Sequence, residues 1–110
     1  MTKPLFSIIV PALNEAKYLP KLLEDLSAQS LRDFEVILVD GNSTDQTVAK
    51  AKEFEGKLPG LTLLSSAKRN VCTQRNLGAK SANADILVFS DADNRFPPYF
   101  LQGIKYRWEA

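Results

Sequence analysis

The chain has 110 residues, enough for a single domain, and we take residues 1–110 as one domain. Its 14 basic and 13 acidic residues leave a formal net charge of +1 with no dense basic block, which argues against a nucleic-acid partner. One cysteine excludes a disulfide within the chain, and the absence of histidine excludes a histidine base or metal ligand. Because no segment is long and apolar enough for a signal peptide or a membrane span, we expect a cytoplasmic protein, with membrane association only in a full-length form.

The first predicted strand and the first predicted helix are separated by a polar loop. Residues 5–10, "LFSIIV", form an apolar, β-branched run that predicts a buried strand stopped by Pro11. Four leucines then follow with the spacing of one helix face: Leu19, Leu22, Leu23 and Leu26. Since Pro20 is tolerated only in the first turn, this helix must begin near Tyr18, and "PALNEAK" is left as a loop.

A second strand and helix repeat the pattern. Residues 34–39, "FEVILV", predict a buried strand that ends at Asp40. Ser43 stands three residues before Gln46, the spacing of a capping box at a helix start. The inward stripe of this helix is predicted to be Val48, Ala51 and Phe54. Gly56 is the predicted stop signal.

The remaining elements continue the alternation. Residues 61–65, "LTLLS", predict a third strand, and residues 85–90, "DILVFS", a fourth. Between them, "NVCTQRNLGAKSA" is a weaker helix pattern in which Gly78 and Ala82 would allow a close approach to the sheet. Residues 99–110, "YFLQGIKYRWEA", predict a final helix.

Alternating apolar strands and helices predict an α/β fold, a Rossmann-like parallel sheet covered by helices on both faces. Right-handed crossovers lead us to expect the strand order 3-2-1-4, with a topological switch point between strands 1 and 4. Ligands bind beyond the carboxyl ends of the strands at such a point. The loops "PALNEAK", "DGNSTD" and "DADN" should therefore converge on one edge of the sheet.

The acids at the strand ends have two interpretations each. On an extended chain Asp91 and Asp93 would project the same way with Ala92 pointing elsewhere, and paired carboxylates suit Mg²⁺ or Mn²⁺. The alternative is a polar "DADN" turn, since Asp and Asn are common turn residues. Asp40 is either a strand-ending residue that bonds the next turn or a carboxylate that reaches a base or ribose.

Other polar residues also keep a structural alternative. Ser43 and Asp45 are assigned mainly to capping the second helix. Asn14 and Glu15 lie in a loop, where solvation alone would explain their polarity. Three basic residues near the third helix either meet phosphate or form a solvated helix face: Lys68, Arg69 and Arg75. Cys72 has no metal-ligand pattern and is predicted to be a small core residue.

The stretches "FSIIVPALNEAKYLPKLLEDLSAQ", "FEVILVDGNSTDQT" and "RNLGAKSANADILVFSDADN" together resemble the nucleotide-sugar-binding half of a family 2 glycosyltransferase with the GT-A fold. The resemblance runs from Phe6 to about Leu101. It implies a truncated GT-A fold, a hexosyltransferase type of activity and a UDP- or GDP-sugar donor, and it names no acceptor.

The resemblance also implies roles for individual residues. The residues implicated in nucleotide-sugar binding are Pro11, Leu13, Glu15, Asp40, Arg69, Asp91 and Ala92. In this family the loop after the first strand contacts the nucleoside. Asp40 matches the acid that recognises the base, and Gly41 occupies a position where family members often have a second acid. Asp91 would hold ribose or sugar hydroxyls, and Asp93 would bind Mn²⁺ or Mg²⁺ on the diphosphate.

The family's general base is carried in the second half of the domain, so the resemblance implies no catalytic residue before Ala110. We therefore expect the isolated chain to bind donor without appreciable turnover. Without the flanking strand of the complete fold, the apolar fourth strand would be an open edge, and self-association through that edge is expected. The alternative function is a non-catalytic nucleotide or nucleotide-sugar-binding module. A dinucleotide-binding oxidoreductase does not fit, because G-x-G-x-x-G is absent.

Overall fold

Four strands alternate with four helices in the computed structural model, which describes residues 3–109. The elements are β1 (Phe6–Ala12), α1 (Leu19–Ser27), β2 (Phe34–Asp40), α2 (Thr47–Lys52), β3 (Leu61–Ser65), α3 (Val71–Ser81), β4 (Ile86–Phe89) and α4 (Phe100–Glu109). All pairings are parallel and the strand order is β3-β2-β1-β4, which confirms the predicted α/β fold and order. Residues 1–2 and 110, at the ends of the predicted domain and tail helix, lie outside the described residues.

Alternation along the strands separates two apolar layers. The larger layer joins one face of β1 and β2 to α1, α2 and α4, and its central residues are Phe6, Ile8, Val10, Val36, Leu38, Leu22, Leu26, Ala51 and Leu101. The smaller layer lies under α3 and is built on Ile9, Ile37 and Val39, with Leu77 packed against them. Helices therefore cover both faces, as predicted.

The first strand is longer than predicted, because Pro11 does not stop it. β1 continues through Pro11 to Ala12, whose carbonyl accepts a hydrogen bond from Gly41 N at 2.8 Å on the β2 side. Ile9 O accepts from Ser90 N at 3.0 Å on the β4 side. Since backbone groups alternate along a strand, the Pro11 nitrogen faces the β4 side, where pairing has already ended. A proline without an N–H is tolerated there because no ladder partner is present.

The predicted start and stop of the second helix are wrong. α2 begins only at Thr47, and its N-cap residue Gln46 makes no side-chain capping bond. The Ser43 hydroxyl donates to Asp40 instead, so no capping box forms. Asp45 does cap this end, because its Oδ1 accepts from Thr47 N at 2.9 Å. Gly56 lies in the turns after the helix and has no positive φ, so it is not a left-handed cap. The predicted inward residues Ala51 and Phe54 are buried, whereas Val48 is only half-buried.

The first and third helices follow their sequence patterns. α1 begins at Leu19 with Tyr18 as N-cap, as the position of Pro20 predicted. α3 begins after Asn70, whose side chain accepts from Thr73 N at 3.1 Å. α3 lies close to the sheet at Gly78, as predicted. Cys72 is exposed, so its assignment to the core is wrong.

A buried carboxylate fastens the amino ends of the strands to the chain after α3. Glu35 on β2 accepts hydrogen bonds from Ser7 Oγ at 2.5 Å, Asn83 N at 2.7 Å and Asn83 Nδ2 at 2.9 Å. Ser7 Oγ in turn accepts from Ala84 N at 3.0 Å. Burial, the largest single influence, acts to raise the pKa of the Glu35 carboxyl, but these hydrogen bonds together outweigh it and leave the pKa below its ordinary value.

Two outer features of the fold complete the description. β4 pairs with β1 alone among the described residues, and its side chains Leu87 and Phe89 are 36% and 48% exposed. None of the helices within residues 3–109 has the length and apolarity needed to cross a bilayer.

Candidate functional site

A cavity of about 230 Å³ lies at the carboxyl edge of the sheet, at the predicted switch point between β1 and β4. Its walls come from the loops after β1 and β4 and from the start of α3. The lining residues are Pro11, Ala12, Leu13, Glu15, Arg69, Val71, Gln74, Asp91, Ala92 and Asp93. Of the eight residues that the family resemblance implicates in donor or metal binding, all except Asp40 line this cavity.

The acid pair after β4 lies on a turn rather than on extended chain. Asn94 N donates to Asp91 O at 3.1 Å, which closes a β-turn with Ala92 and Asp93 at its centre. The extended geometry therefore does not occur and the turn of the alternative interpretation does, because the ladder with β1 ends at Phe89. Ala92 is 3% exposed and packs into the larger apolar layer. Asp91 and Asp93 both line the cavity all the same.

The segment after this turn is fastened to α1. The Asp25 carboxylate accepts hydrogen bonds from Arg95 Nε at 2.7 Å and from Arg95 Nη2 at 3.1 Å. It also accepts one from the backbone N–H of Phe96 at 2.9 Å. The Arg95 bond is the main cause of a lowered pKa at Asp25, and burial opposes it. Gln29 adds a second connection, since its Nε2 donates to Pro97 O at 2.7 Å. The acid turn is thus held between β4 on one side and α1 on the other.

The loop after β1 is fastened to the loop after β2 through backbone N–H groups and polar side chains. Asn14 has the left-handed φ of 52°, which Asn tolerates better than most residues. The bonds are Asn14 N to Ser43 Oγ at 2.9 Å, Thr44 N to Asn14 Oδ1 at 2.8 Å, Glu15 N to Thr47 Oγ1 at 2.9 Å and Ala16 N to Asp45 Oδ2 at 3.2 Å. These bonds hold Glu15 at the cavity wall.

Glu15 is half-buried among other acids. Burial raises the pKa of the Glu15 carboxyl above its ordinary value, and repulsion from Asp93 raises it further. Asp45 and Asp91 act in the same direction. This side of the cavity is therefore a region of negative potential that favours a cation.

The three basic residues near α3 differ in how they relate to the cavity. Arg69 lines the cavity, and its guanidinium donates to Asn42 O at 3.0 Å. Arg75 lies 3.5 Å from Asp91 Oδ1, and its Nε is buried without a hydrogen-bond partner among the described residues. Lys68 is exposed and does not line the cavity.

Asp40 is the one predicted site residue that lies apart from this cavity. It is 7% exposed, and its Oδ2 accepts from Asn42 N at 3.1 Å and from Ser43 N at 3.0 Å. Its Oδ1 accepts from Ser43 Oγ at 2.5 Å. These bonds shape the turn after β2, in which Asn42 has a φ of 70°. Asp40 faces a neighbouring cavity lined also by Ser65, Ser66 and Ala67.

Three further residues that were not predicted from the sequence line the cavity: Ala12, Val71 and Gln74. A signal for Gln74 was available. It precedes Gly78 by four residues, so the two share the helix face that approaches the sheet. A polar residue on that face must find partners inside the protein.

The carboxylates of the cavity fit a hard divalent cation, because Mg²⁺ and Mn²⁺ prefer oxygen ligands. Within residues 3–109, no three His, Cys, Asp or Glu side chains are placed to enclose an ion by themselves. Asp93, with or without Asp91, could hold an ion whose other ligands are phosphate oxygens and water, the arrangement that Mg²⁺ usually adopts.

Known proteins are similar to this chain in amino-acid sequence. The family model described as "Glycosyl transferase family 2" matches residues 7–110. A "PGL/p-HBAD biosynthesis glycosyltransferase" of Mycobacterium bovis is 39% identical over 95 residues, which are 86% of this chain and 37% of that protein. A "4,4'-diaponeurosporenoate glycosyltransferase" of Staphylococcus haemolyticus is 42% identical over 92 residues, 79% of this chain and 24% of that protein.

Solved structures are similar over nearly the whole chain. Staphylococcus aureus TarS 1-349 in complex with UDP-GlcNAc has a TM-score of 0.90 at 30% identity, covering 96% of this chain and 31% of that one. A Pyrobaculum calidifontis mannosyltransferase in complex with GDP-Man and Mn²⁺ has a TM-score of 0.85 at 30% identity, covering 100% and 33%. The chain thus spans about a third of the length of these solved chains and between 24% and 37% of the curated relatives above.

Proposed function

The chain belongs to glycosyltransferase family 2, and on that premise we propose that it is the donor-binding part of an enzyme that transfers a sugar from a nucleoside-diphosphate sugar to an acceptor. The observation that carries the proposal is the cavity at the switch point, where Glu15, Asp91 and Asp93 meet Arg69. A donor of this class has an apolar base face, hydroxyl groups and an anionic diphosphate. The lining offers an apolar, a hydrogen-bonding and a cation-binding surface for these parts.

The nucleoside is assigned to the loop after β1 and to the turn after β2. Pro11 and Leu13 supply apolar contact, and Glu15 accepts hydrogen bonds from nucleoside hydroxyl or N–H groups. Asp40 contacts the base from the neighbouring cavity, through the carboxylate that also shapes its own turn. Arg69 lies where a guanidinium can pair with a phosphate oxygen.

The diphosphate and the sugar are assigned to the turn after β4. Asp93 holds Mn²⁺ or Mg²⁺, and Asp91 holds ribose or sugar hydroxyls while Ala92 keeps the turn packed against the core. When bound, a divalent cation stabilises the negative charge that develops on the departing nucleoside diphosphate. Support for a metal comes from the acidic lining and from the Mn²⁺ in the similar mannosyltransferase complex.

We assign no catalytic base to this chain, since the carboxylates of the cavity are committed to donor and metal. The 110-residue chain is therefore expected to bind donor without appreciable turnover. Robust sugar transfer by this chain alone would contradict the assignment.

The test is thermal unfolding against UDP, GDP, UDP-GlcNAc and GDP-Man, each with and without Mn²⁺. A ligand at about a hundred times its Kd stabilises the folded state by ~2.7 kcal/mol. For a chain of this size that is a rise in Tm of roughly 10 °C or more.

Asp93→Ala is expected to abolish the Mn²⁺-dependent part of this rise in Tm. The control is Asp33→Ala, an exposed acid outside the cavity. No rise with any nucleotide, or a rise that Asp93→Ala leaves intact, would overturn the site.

We further propose that two copies of the chain associate through β4. Ser90 N points to β1, so the N–H groups of Leu87 and Phe89 point outward. Their half-exposed apolar side chains add to an edge that another strand can extend. Light scattering across a concentration series should show dimers or larger species that Leu87→Lys suppresses. A strictly monomeric wild-type chain at high concentration would contradict the proposal.

A further inference from the structure

Gln74 is a buried polar residue that lines the cavity. The protein bonds the nitrogen of its side-chain amide but not the oxygen. The residue is 2% exposed, and its Nε2 donates to Ala12 O at 3.1 Å and to Val39 O at 2.9 Å. Both N–H groups of the amide thus have acceptors at the carboxyl ends of β1 and β2. Among residues 3–109 no group donates a hydrogen bond to Gln74 Oε1 within bonding distance.

The hydrogen bonds fix which way the amide faces. Rotating it by half a turn would place Oε1 against two carbonyl oxygens and lose both bonds. Oε1 is therefore held as an acceptor, in a residue that lines the cavity. This oxygen keeps a little solvent exposure at the cavity, so a ligand that supplies a donor there replaces water without leaving the acceptor unpaired.

Gly41 leaves the space in which this amide lies. A Cβ at position 41 would be 3.0 Å from Gln74 Nε2 and 3.2 Å from Oε1. Such contacts are tighter than normal packing, and any side chain at position 41 would push the amide by a few tenths of an ångström. Gly41 and Gln74 thus form one unit at the ends of β1 and β2.

The other acceptors of the cavity differ from Gln74 Oε1 in chemistry. Glu15, Asp91 and Asp93 are carboxylates that lie together on one side of the cavity, and the assignments above give them to hydroxyl groups of the donor and to a cation. Gln74 offers a neutral, rigid acceptor, and the apolar side chains of Pro11 and Val71 line the same cavity. An apolar wall beside one fixed acceptor suits a planar ring that carries an N–H at its edge.

We propose that Gln74 determines the base specificity of the donor site. Its Oε1 accepts a hydrogen bond from the ring N–H of a lactam base, N3–H of uracil or N1–H of guanine. Cytosine and adenine carry an unprotonated acceptor nitrogen at the matching ring position, which would face Oε1 without a proton between them. This inference rests on the proposed donor-binding function.

The experiment is calorimetric titration of the 110-residue chain with UDP, GDP, CDP and ADP in the presence of Mn²⁺. The better of UDP and GDP should bind at least tenfold more tightly than CDP and ADP, since a mismatched base displaces water from Gln74 Oε1 and offers it no donor. Its ring-N-methylated analogue, 3-methyluridine or 1-methylguanosine diphosphate, should bind at least tenfold more weakly than the parent.

Two variants connect this selectivity to Gln74. Gln74→Met keeps the length of the side chain and removes the acceptor, so the ratio between lactam and non-lactam nucleotides should fall towards one. Gly41→Ala keeps Gln74 and displaces its amide, so it should reduce the same ratio by a smaller factor. Gln102→Met, on the exposed surface of α4, is the matched control and should leave the ratio unchanged.

The outcomes separate this inference from the donor-binding proposal. If neither UDP nor GDP binds, the proposed function fails and the inference fails with it. If nucleotides bind without preference among the bases, or if folded Gln74→Met keeps the wild-type ratio, donor binding stands and the role of Gln74 is refuted. Should Gln74→Met not fold, Gly41→Ala and the methylated analogue decide the matter.

Discussion

Gly78 gives the sharpest test of how α3 is placed on the sheet. A Cβ at this position would be 2.6 Å from Ile9 Cγ2 and 3.1 Å from Val39 Cγ2. The normal separation of two carbon atoms is about 3.5–4.0 Å, so Gly78→Ala would require a shift of roughly 1 Å. Ile9 is fully buried and β-branched, so its methyl group cannot easily rotate away. The helix itself must move.

The expected size of the effect follows from two opposing contributions. Replacing a helical glycine by alanine favours folding by about 1 kcal/mol through helix propensity. Overpacking a filled core costs about 1–3 kcal/mol. We therefore expect Gly78→Ala to lower the free energy of unfolding by about 1 kcal/mol, the difference between about 2 for overpacking and about 1 for propensity.

Gly103 supplies the matched control, because it also lies inside a helix but a Cβ there would meet nothing within 4 Å. Gly103→Ala should stabilise the protein by about 1 kcal/mol. Urea denaturation of both variants should then separate them by about 2 kcal/mol, with a difference in Tm of roughly 8 °C. If Gly78→Ala is as stabilising as Gly103→Ala, the close contact between α3 and β1 is wrong.

Three further predictions test other parts of the molecule. Because hydrogen bonds lower the pKa of Glu35, its stabilising contribution is present at neutral pH and is lost as the pH falls below about 4.3 and through the lowered value. Glu35→Gln should cost about 1–3 kcal/mol at pH 7 and flatten the acid end of a denaturation series. Thr47→Val should lower the free energy of unfolding in urea by about 1–3 kcal/mol, since it leaves Glu15 N–H without its acceptor. The exposed Cys72 thiol should react with a thiol reagent in the native protein at a rate within about tenfold of the unfolded chain.

Each of these has a control or a contradicting result. Glu53→Gln changes an exposed acid and should leave the acid dependence unchanged, and the network around Glu35 is refuted if both variants behave alike. Thr62→Val makes the same change as Thr47→Val at an exposed position on β3 and should be close to neutral. A Cys72 thiol that reacts only after unfolding would mean that α3 is packed differently.

The arrangement of strands and helices could be predicted because it depends on patterns within short segments. Short apolar β-branched runs favour strands, and the leucine spacing of α1 gives one helix face. Crossover handedness then left few orders for the strands, and the observed order followed. The same rule brought the loops after β1 and β4 to one edge, which is why the predicted Glu15 and Asp93 line one cavity.

The errors share a different origin, namely contacts between residues distant in sequence. Whether Pro11 ends β1 depends on how far β4 runs beside it. Ser43 has the spacing of a capping residue, but its hydroxyl donates to Asp40 and accepts from Asn14 N, so it does not cap the helix. Cys72 has the composition of a core residue, yet it lies on the side of α3 away from the sheet.

The sequence by itself determined the family, the α/β alternation and the acids that face the switch point, because local periodicity and motif order encode them. Only the tertiary structure decided the turn at Asp91, the separate position of Asp40 and the part played by Gln74. Each of these depends on which backbone groups come within about 3 Å: N–H groups two or three residues along the chain for Asp91 and Asp40, and carbonyl groups at the ends of β1 and β2 for Gln74. A one-dimensional pattern does not contain that distance, whereas the folded sheet fixes it through register and twist.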